Sequence, residues 1–367
     1  MNNFVNDRAR AEIFTIKPYT PGKPIDEVKR ELGLEDIIKM ASNENPLGPS
    51  PLAVQAIRQM VDQLHLYPDS NCFYLKEKLA SVNNIESTGV IIGNGSDELL
   101  KLISETFLNK DDEIICAQPS FSEYEFAARI MGAACISVPL KDFTHDLDAM
   151  LAAVTPKTKI IYICNPNNPT GTTVNRDEVA EFMQKVPDSV LVIFDEAYYE
   201  YAEDPEYESG LKYVLEGRNV IVLRTFSKIY GLAALRIGYG LTTPELAGAV
   251  ERVMEPFNVN SVAQTGALAA MQDSPHVKNS KELNARGKQY LYEQFESLGL
   301  KYVPTEANFI FVNVKNNCRE VFAALLKEGV IVRTGDIFGY PEFIRVTVGT
   351  PEQNERFIKS LKKVLEV

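Results

Sequence analysis

Little in this 367-residue chain ties it to a metal, a membrane or a nucleic acid. Its three histidines, His65, His145 and His276, are scattered, so a histidine-based metal site is not expected. No apolar run reaches the roughly 18 residues that a membrane span needs. The opening residues, MNNFVNDRAR, lack the apolar core of a signal peptide. Acidic residues outnumber basic ones by 50 to 38, for a formal net charge of -12. A nucleic-acid-binding protein carries a basic face, so the charge argues against that class, although a few local arginines can still hold a small anion. The five cysteines form no C-x-x-C pair, and several lie in apolar runs where buried free thiols are common. A reducing cytoplasm is the expected compartment. No G-x-G-x-x-G follows the first strand, which argues against a nicotinamide dehydrogenase.

What is present points to a large core. Hydrophobic residues make up 45% of the chain, and its length suggests about two domains. Short β-branched runs read as strands at Val90–Gly93, Glu113–Ala117, Ala134–Val138, Lys159–Cys164, Val190–Asp195, Asn219–Arg224 and Arg236–Gly240. Helical periodicity falls between them at Ser96–Leu108, Ser122–Met131 and Asp177–Lys185. Such alternation predicts an α/β fold with a mostly parallel sheet covered on both faces. This block spans residues 46–260 and reads as the large domain. A helical region at 261–298 leads out of it. Residues 299–367 read as a smaller α+β domain, with strands at Asn308–Val314 and Phe343–Val348 and helices at Arg319–Glu328 and Pro351–Val364. Residues 1–45 are expected to form an N-terminal arm and part of that small domain. KPYTPGKP at Lys17–Pro24 is too proline-rich for a helix and predicts an extended segment.

Four motifs follow in order, most of them at a predicted strand's C-terminal end, where open α/β sheets bind ligands. GNGSDELL, Gly93–Leu100, puts glycines before a helix whose exposed N–H groups suit a phosphate; an ordinary capped turn would look similar. NPNNPTG, Asn165–Gly171, is a rigid turn with side-chain amides free to donate. VLVIFDEAYYE, Val190–Glu200, ends an apolar run on Asp195. A buried carboxylate there needs a cationic partner unless it is a simple helix cap. TFSKIYGLAALRIGY, Thr225–Tyr239, places Lys228 after two hydroxyl residues and eight positions before Arg236. Such a lysine can form a Schiff base while its neighbours hold a phosphate.

Together these residues resemble the aspartate-aminotransferase superfamily, fold type I of the enzymes that use pyridoxal 5′-phosphate. The resemblance covers nearly the whole chain and implies a large mostly parallel sheet domain with a smaller α+β domain. ASNENPLGPSP at Ala41–Pro51, YPD at Tyr67–Asp69, GNGSDE and KPYTPGKP are similar, more narrowly, to the histidinol-phosphate aminotransferase family. Resemblance implies that Lys228 holds the cofactor covalently and shuttles a proton, and that Asp195 keeps the pyridine nitrogen protonated. Tyr198 and Asn168 would bond the ring's phenolic oxygen, and Phe121 would stack on the ring. Ser96, Asp97, Glu98, Thr225, Ser227 and Arg236 would surround the phosphate. Tyr67 would reach the phosphate of a neighbouring subunit, which implies a homodimer. Tyr19, Asn43, Arg333 and Arg345 would hold the substrate. Ala234 stands where the family often has glycine, a small departure.

The implied reaction moves an amino group between L-histidinol phosphate and 2-oxoglutarate, giving imidazole-acetol phosphate and L-glutamate. Aromatic amino acids are a further expected substrate class, given Tyr19, Phe121 and Tyr124. The alternative on the same fold is a decarboxylase or lyase, such as a phosphothreonine decarboxylase, which needs no 2-oxoglutarate. A non-catalytic effector-sensing domain is disfavoured by the acidic charge.

Overall fold

The computed structural model describes residues 3–16 and 22–366. In chain order, β1 is Ile38–Lys39, β2 Val90–Gly93, β3 Glu113–Gln118, β4 Ala134–Pro139 and β5 Thr158–Cys164. Then come β6 (Leu191–Asp195), β7 (Val220–Thr225) and β8 (Gly238–Leu241). The remainder are β9 (Tyr302–Val303), β10 (Phe309–Asn313), β11 (Val330–Ile331), β12 (Arg333–Thr334) and β13 (Phe343–Thr347).

Seven of these strands form one sheet in the order β2-β8-β7-β6-β5-β3-β4. Only β8 runs antiparallel to its neighbours. The central strands read IIYIC, LVIFD and VIVLRT and are buried along their whole length, because helices cover both faces of a parallel sheet. The α/β reading and the mostly parallel sheet agree with this arrangement. A second sheet, β12-β13-β10-β9, lies in the C-terminal part. β1 pairs with β11 in a separate two-stranded sheet, and Thr347 N–H donates to Met40 O, which ties this segment to β13.

Local sequence explains most element ends. Asn175 caps the helix Arg176–Lys185 by accepting from the N–H groups of Asp177 and Glu178, and Glu178 answers with a bond to Asn175 N–H. The helical region after residue 260 breaks into Ser261–Ala270 and Ser274–Ser297. Asp273 caps the second helix, and a proline in its first turn favours a start there. In addition, Ile25–Leu32 is a helix that the sequence reading did not anticipate. The extended segment expected at Lys17–Pro24 falls largely outside the described residues. The strand expected at Arg236–Gly240 begins instead at Gly238, because Arg236 adopts a left-handed conformation with φ 52°.

A buried ion pair joins the ends of β6 and β7. Arg224 donates from Nε and Nη2 to Glu196 Oε2 at 3.0 and 2.9 Å, and its guanidinium lies 3.6 Å from the Tyr199 ring centre. Glu196 also accepts from Ser209 Oγ and Gly210 N–H, and Arg224 Nη1 donates to Asn83 Oδ1. Breaking such a pair from one side strands a buried charge, at a cost of about 3–5 kcal/mol. Arg224→Met should therefore lower unfolding stability by roughly that amount, read from urea denaturation of the wild-type and variant proteins. An unshifted midpoint would show that the pair contributes nothing.

Candidate active site

The C-terminal ends of β5, β6 and β7, the turn after β2, residues 41–44 and the β12–β13 pair surround one cavity of about 460 Å³. Its lining includes Ser96, Asp97, Phe121, Asn168, Asp195 and Tyr198. Thr225, Ser227, Lys228, Arg236, Arg333 and Arg345 complete most of the rest.

Asp195 closes β6 and is 3% exposed. Its Oδ2 accepts from Tyr124 Oη at 2.6 Å and its Oδ1 from Ala197 N–H at 3.2 Å. Both donors are neutral. Burial pushes the carboxyl up to about 6, against the opposing effect of those two hydrogen bonds. A carboxylate placed this way is stabilised by a cation brought into the cavity. Lys228, in the turn after β7, donates to Ser42 O at 3.3 Å and lies 5.5 Å from the Tyr198 ring centre. Burial, with the Arg345 charge adding to it, lowers its amine to about 8. The neutral, nucleophilic amine is therefore far more populated near neutral pH than in an ordinary lysine.

A chain of polar contacts spans the opposite wall. Asn43, held at φ 56°, donates from Nδ2 to Tyr198 Oη at 2.9 Å and accepts at Oδ1 from Thr347 Oγ1. The amide of Asn43 is thus committed to bracing Tyr198. Burial pushes the Tyr198 phenol up, so it remains a donor at neutral pH. Arg345, 7% exposed, donates to Asn168 Oδ1 at 2.5 Å and to Ala41 O at 2.8 Å. This fixes the Asn168 amide and leaves its nitrogen as the donor end. Arg333 faces Arg345 across the β12–β13 register.

At the far end, the helix Ser96–Phe107 begins at Gly95, with φ 84°. A Cβ on Gly95 would come within 2.7 Å of Arg236 Nη2, so glycine keeps this corner open. Arg236 pairs with Asp97 at 2.9 Å and reaches Ser227 Oγ at 3.5 Å. Ser227 N–H donates to Thr225 Oγ1. First-turn N–H groups, two hydroxyls and a guanidinium form the donor set that a phosphate takes.

Three expected residues sit elsewhere. Glu98 turns away from the cavity: its Oε2 accepts from Asn94 N–H and Asn258 Nδ2, closing the loop instead of contacting a ligand. Tyr67 is 83% exposed and stacks on Phe257 at 4.8 Å, outside this cavity. Tyr19 lies outside the described residues. Phe121 lines the cavity, edge-on to Tyr124 at 5.7 Å. Sequence reasoning placed Tyr124 near the site but missed its bond to Asp195. The available signal was its position three residues after Phe121 at a helix start, combined with the need of a buried aspartate for a donor.

This arrangement fits pyridoxal 5′-phosphate. Asp195 offers a charge partner for the pyridine nitrogen, Lys228 a neutral amine for the aldehyde, and the Gly95–Ser96 corner a phosphate seat. Covalent attachment should follow the neutral fraction of Lys228, rising through about pH 8 and levelling above it. Borohydride trapping followed by mass spectrometry of the labelled peptide reads this directly. Labelling that rose only toward the ordinary lysine value of 10.5, or that persisted in Lys228→Ala, would contradict the assignment.

Comparison with known proteins agrees with this geometry. Residues 35–361 match the model of the aminotransferase class I and II family. The chain is 59% identical to a histidinol-phosphate aminotransferase of Moorella thermoacetica, over 98% of this chain and 93% of that protein. Identity is 51% to one of Caldicellulosiruptor saccharolyticus, over 97% and 99%. Among solved structures, the histidinol-phosphate aminotransferase of Sinorhizobium meliloti in complex with pyridoxal 5′-phosphate superposes with a TM-score of 0.91. It is 27% identical, and the match covers 98% of each chain. With the family model spanning nearly all of its length, the chain belongs to the aminotransferase class I and II family.

Proposed function

We propose that this chain transfers an amino group between L-histidinol phosphate and 2-oxoglutarate, with pyridoxal 5′-phosphate as cofactor. The observation that carries the reading is one cavity that joins a half-buried lysine of lowered pKa, a buried aspartate held only by neutral donors, and two arginines in register. The relatives named for this reaction, 59% and 51% identical, support the substrate pair.

Bound pyridoxal phosphate supplies an electrophilic aldehyde and a ring that draws electron density from the substrate Cα. The chain's own residues do the rest. Asp195, a buried carboxylate held only by neutral donors, would keep a proton on the ring nitrogen. Lys228 Nζ would take the proton from the substrate Cα and return it on the far side of the transferred nitrogen. A group half protonated at about pH 8 is well matched to both steps. Tyr198, Asn168 and Phe121 line the same cavity, where the first two would hold the ring's oxygen and the third would cover the ring. Arg345, backed by Arg333, binds the substrate's anion. A guanidinium takes a phosphate or a carboxylate in the same forked geometry, so one site accepts both substrates.

The proposal includes a homodimer. Exposed Tyr67 and Phe257 stack on each other, and Leu64, Leu66, Phe73 and Tyr74 are exposed as well. In this reading Tyr67 reaches the cofactor phosphate of a second copy. The five free thiols suit the cytoplasm. Residues 46–260 would carry the cofactor and residues 299–367, with part of 1–45, the substrate arginines.

Purified protein with cofactor, L-histidinol phosphate and 2-oxoglutarate should form L-glutamate. Arg345→Gln should raise KM for both substrates, with a loss of about 2–5 kcal/mol in kcat/KM from an abandoned buried charge contact. Carbon dioxide release from phosphothreonine, with no glutamate formed from histidinol phosphate, would overturn the amino-transfer reading in favour of a decarboxylase.

A further inference from the structure

The cavity mixes two signs of charge, and each acid in it except one has an evident partner. Its cations are Lys228, Arg236, Arg333 and Arg345. Its acids are Glu44, Asp97, Glu123 and Asp195. Glu44 pairs with Lys39 at 2.7 Å, and Asp97 with Arg236 at 2.9 Å. Asp195 accepts from Tyr124 and Ala197 and faces the cofactor's ring nitrogen in the proposed reading. Glu123 differs. It is half-buried at the start of the helix Glu123–Ile130, two residues after Phe121, and no cation pairs with it among the described residues. The Ser122 hydroxyl is its one side-chain support. Burial pushes its carboxyl up, and the charge of Asp97 adds to this.

A carboxylate left unpaired in a cavity built to hold anions is unfavourable for any wholly anionic ligand. It becomes favourable if the ligand carries an N–H donor or a positive charge at that point. From this we infer that Glu123 is a specificity-determining residue, accepting the ring N–H of an imidazole-bearing substrate beside Phe121. The inference rests on the amino-transfer reading above and names which part of the substrate the chain selects.

In this reading the substrate divides in a simple way. Arg345 holds the single anion of histidinol phosphate, and the ring extends toward Phe121 and Glu123. In glutamate, Arg345 holds one carboxylate, and the second extends into the same space. Glu123 therefore attracts one side chain and repels the other. A residue that merely shaped the wall would affect both substrates in the same direction.

The test measures kcat/KM for L-histidinol phosphate, L-phenylalaninol phosphate and L-glutamate in the wild type, Glu123→Gln and Glu123→Leu. Phenylalaninol phosphate keeps the amine and phosphate and lacks the ring N–H. Wild type should prefer histidinol phosphate, because a site built to bond an N–H rejects an analogue without it. Glu123→Leu should reduce that preference about 10- to 100-fold, in line with a lost charge-assisted hydrogen bond. Glu123→Gln, which keeps an acceptor without the charge, should fall between, and both variants should lower KM for glutamate. Bound-cofactor absorbance checks that each variant is folded. A histidinol-to-phenylalaninol ratio unchanged within about two-fold, or losses shared equally by all three substrates, would overturn the inference while leaving amino transfer intact. Absence of any amino transfer from histidinol phosphate in the wild type would overturn both.

Discussion

A carboxylate carried to the floor of an apolar sheet sets the terms for the whole site. Asp195 ends a strand whose other residues are fully buried hydrophobics, and water does not solvate it. Its stability depends on what surrounds it. Tyr124, itself stacked on Tyr162 at 4.5 Å, supplies one short hydrogen bond, and the turn at Ala197 supplies another. Neither brings a charge. The anion is thus poised to favour a cation in the cavity, and this gives the sheet a reason to end here on aspartate.

The next strand supplies the complementary group. Lys228 is half-buried in the same cavity, and partial desolvation moves its proton affinity in the direction opposite to that of Asp195. The separation of the two depends on the ends of β6 and β7, and Arg224 with Glu196 pins those ends from behind. This ion pair sits one residue from Asp195 and four from Lys228. It explains why so polar a cluster is tolerated beneath the cavity: its own hydrogen bonds are nearly complete, and it keeps the reactive pair in place. The arginines come from elsewhere in the chain. β12 and β13 bring Arg333 and Arg345 to the mouth, and Arg345 locks the Asn168 amide as it does so.

Much of this was legible in the sequence, for identifiable reasons. Parallel strands buried on both faces read as unbroken apolar runs, so KIIYIC and VLVIFD stood out with near-correct ends. A lysine between hydroxyls and an arginine eight residues on, Lys228 and Arg236, made a signal that few structural roles would produce. Legibility failed where the deciding contact is distant or conformational. The partner of Tyr124 lies 71 residues away, and no local pattern reveals it. Arg236 was read into a strand because its left-handed backbone is set by the pull toward Asp97 and the open corner at Gly95. The Glu98 side chain bends back to Asn94 and Asn258, a direction that its place beside Ser96 and Asp97 does not reveal. The lone carboxylate of Glu123 was invisible until its neighbours' partners were known.

The central claim is that one cavity binds pyridoxal phosphate at Lys228 and passes nitrogen through it. An absorbance spectrum of the cofactor-loaded protein tests this most directly, taken first alone, then with L-histidinol phosphate, then with 2-oxoglutarate. The account predicts a long-wavelength band that disappears on the first addition and returns on the second, with neither change in Lys228→Ala. A band that never forms, or one that histidinol phosphate leaves untouched while phosphothreonine moves it, would contradict the account.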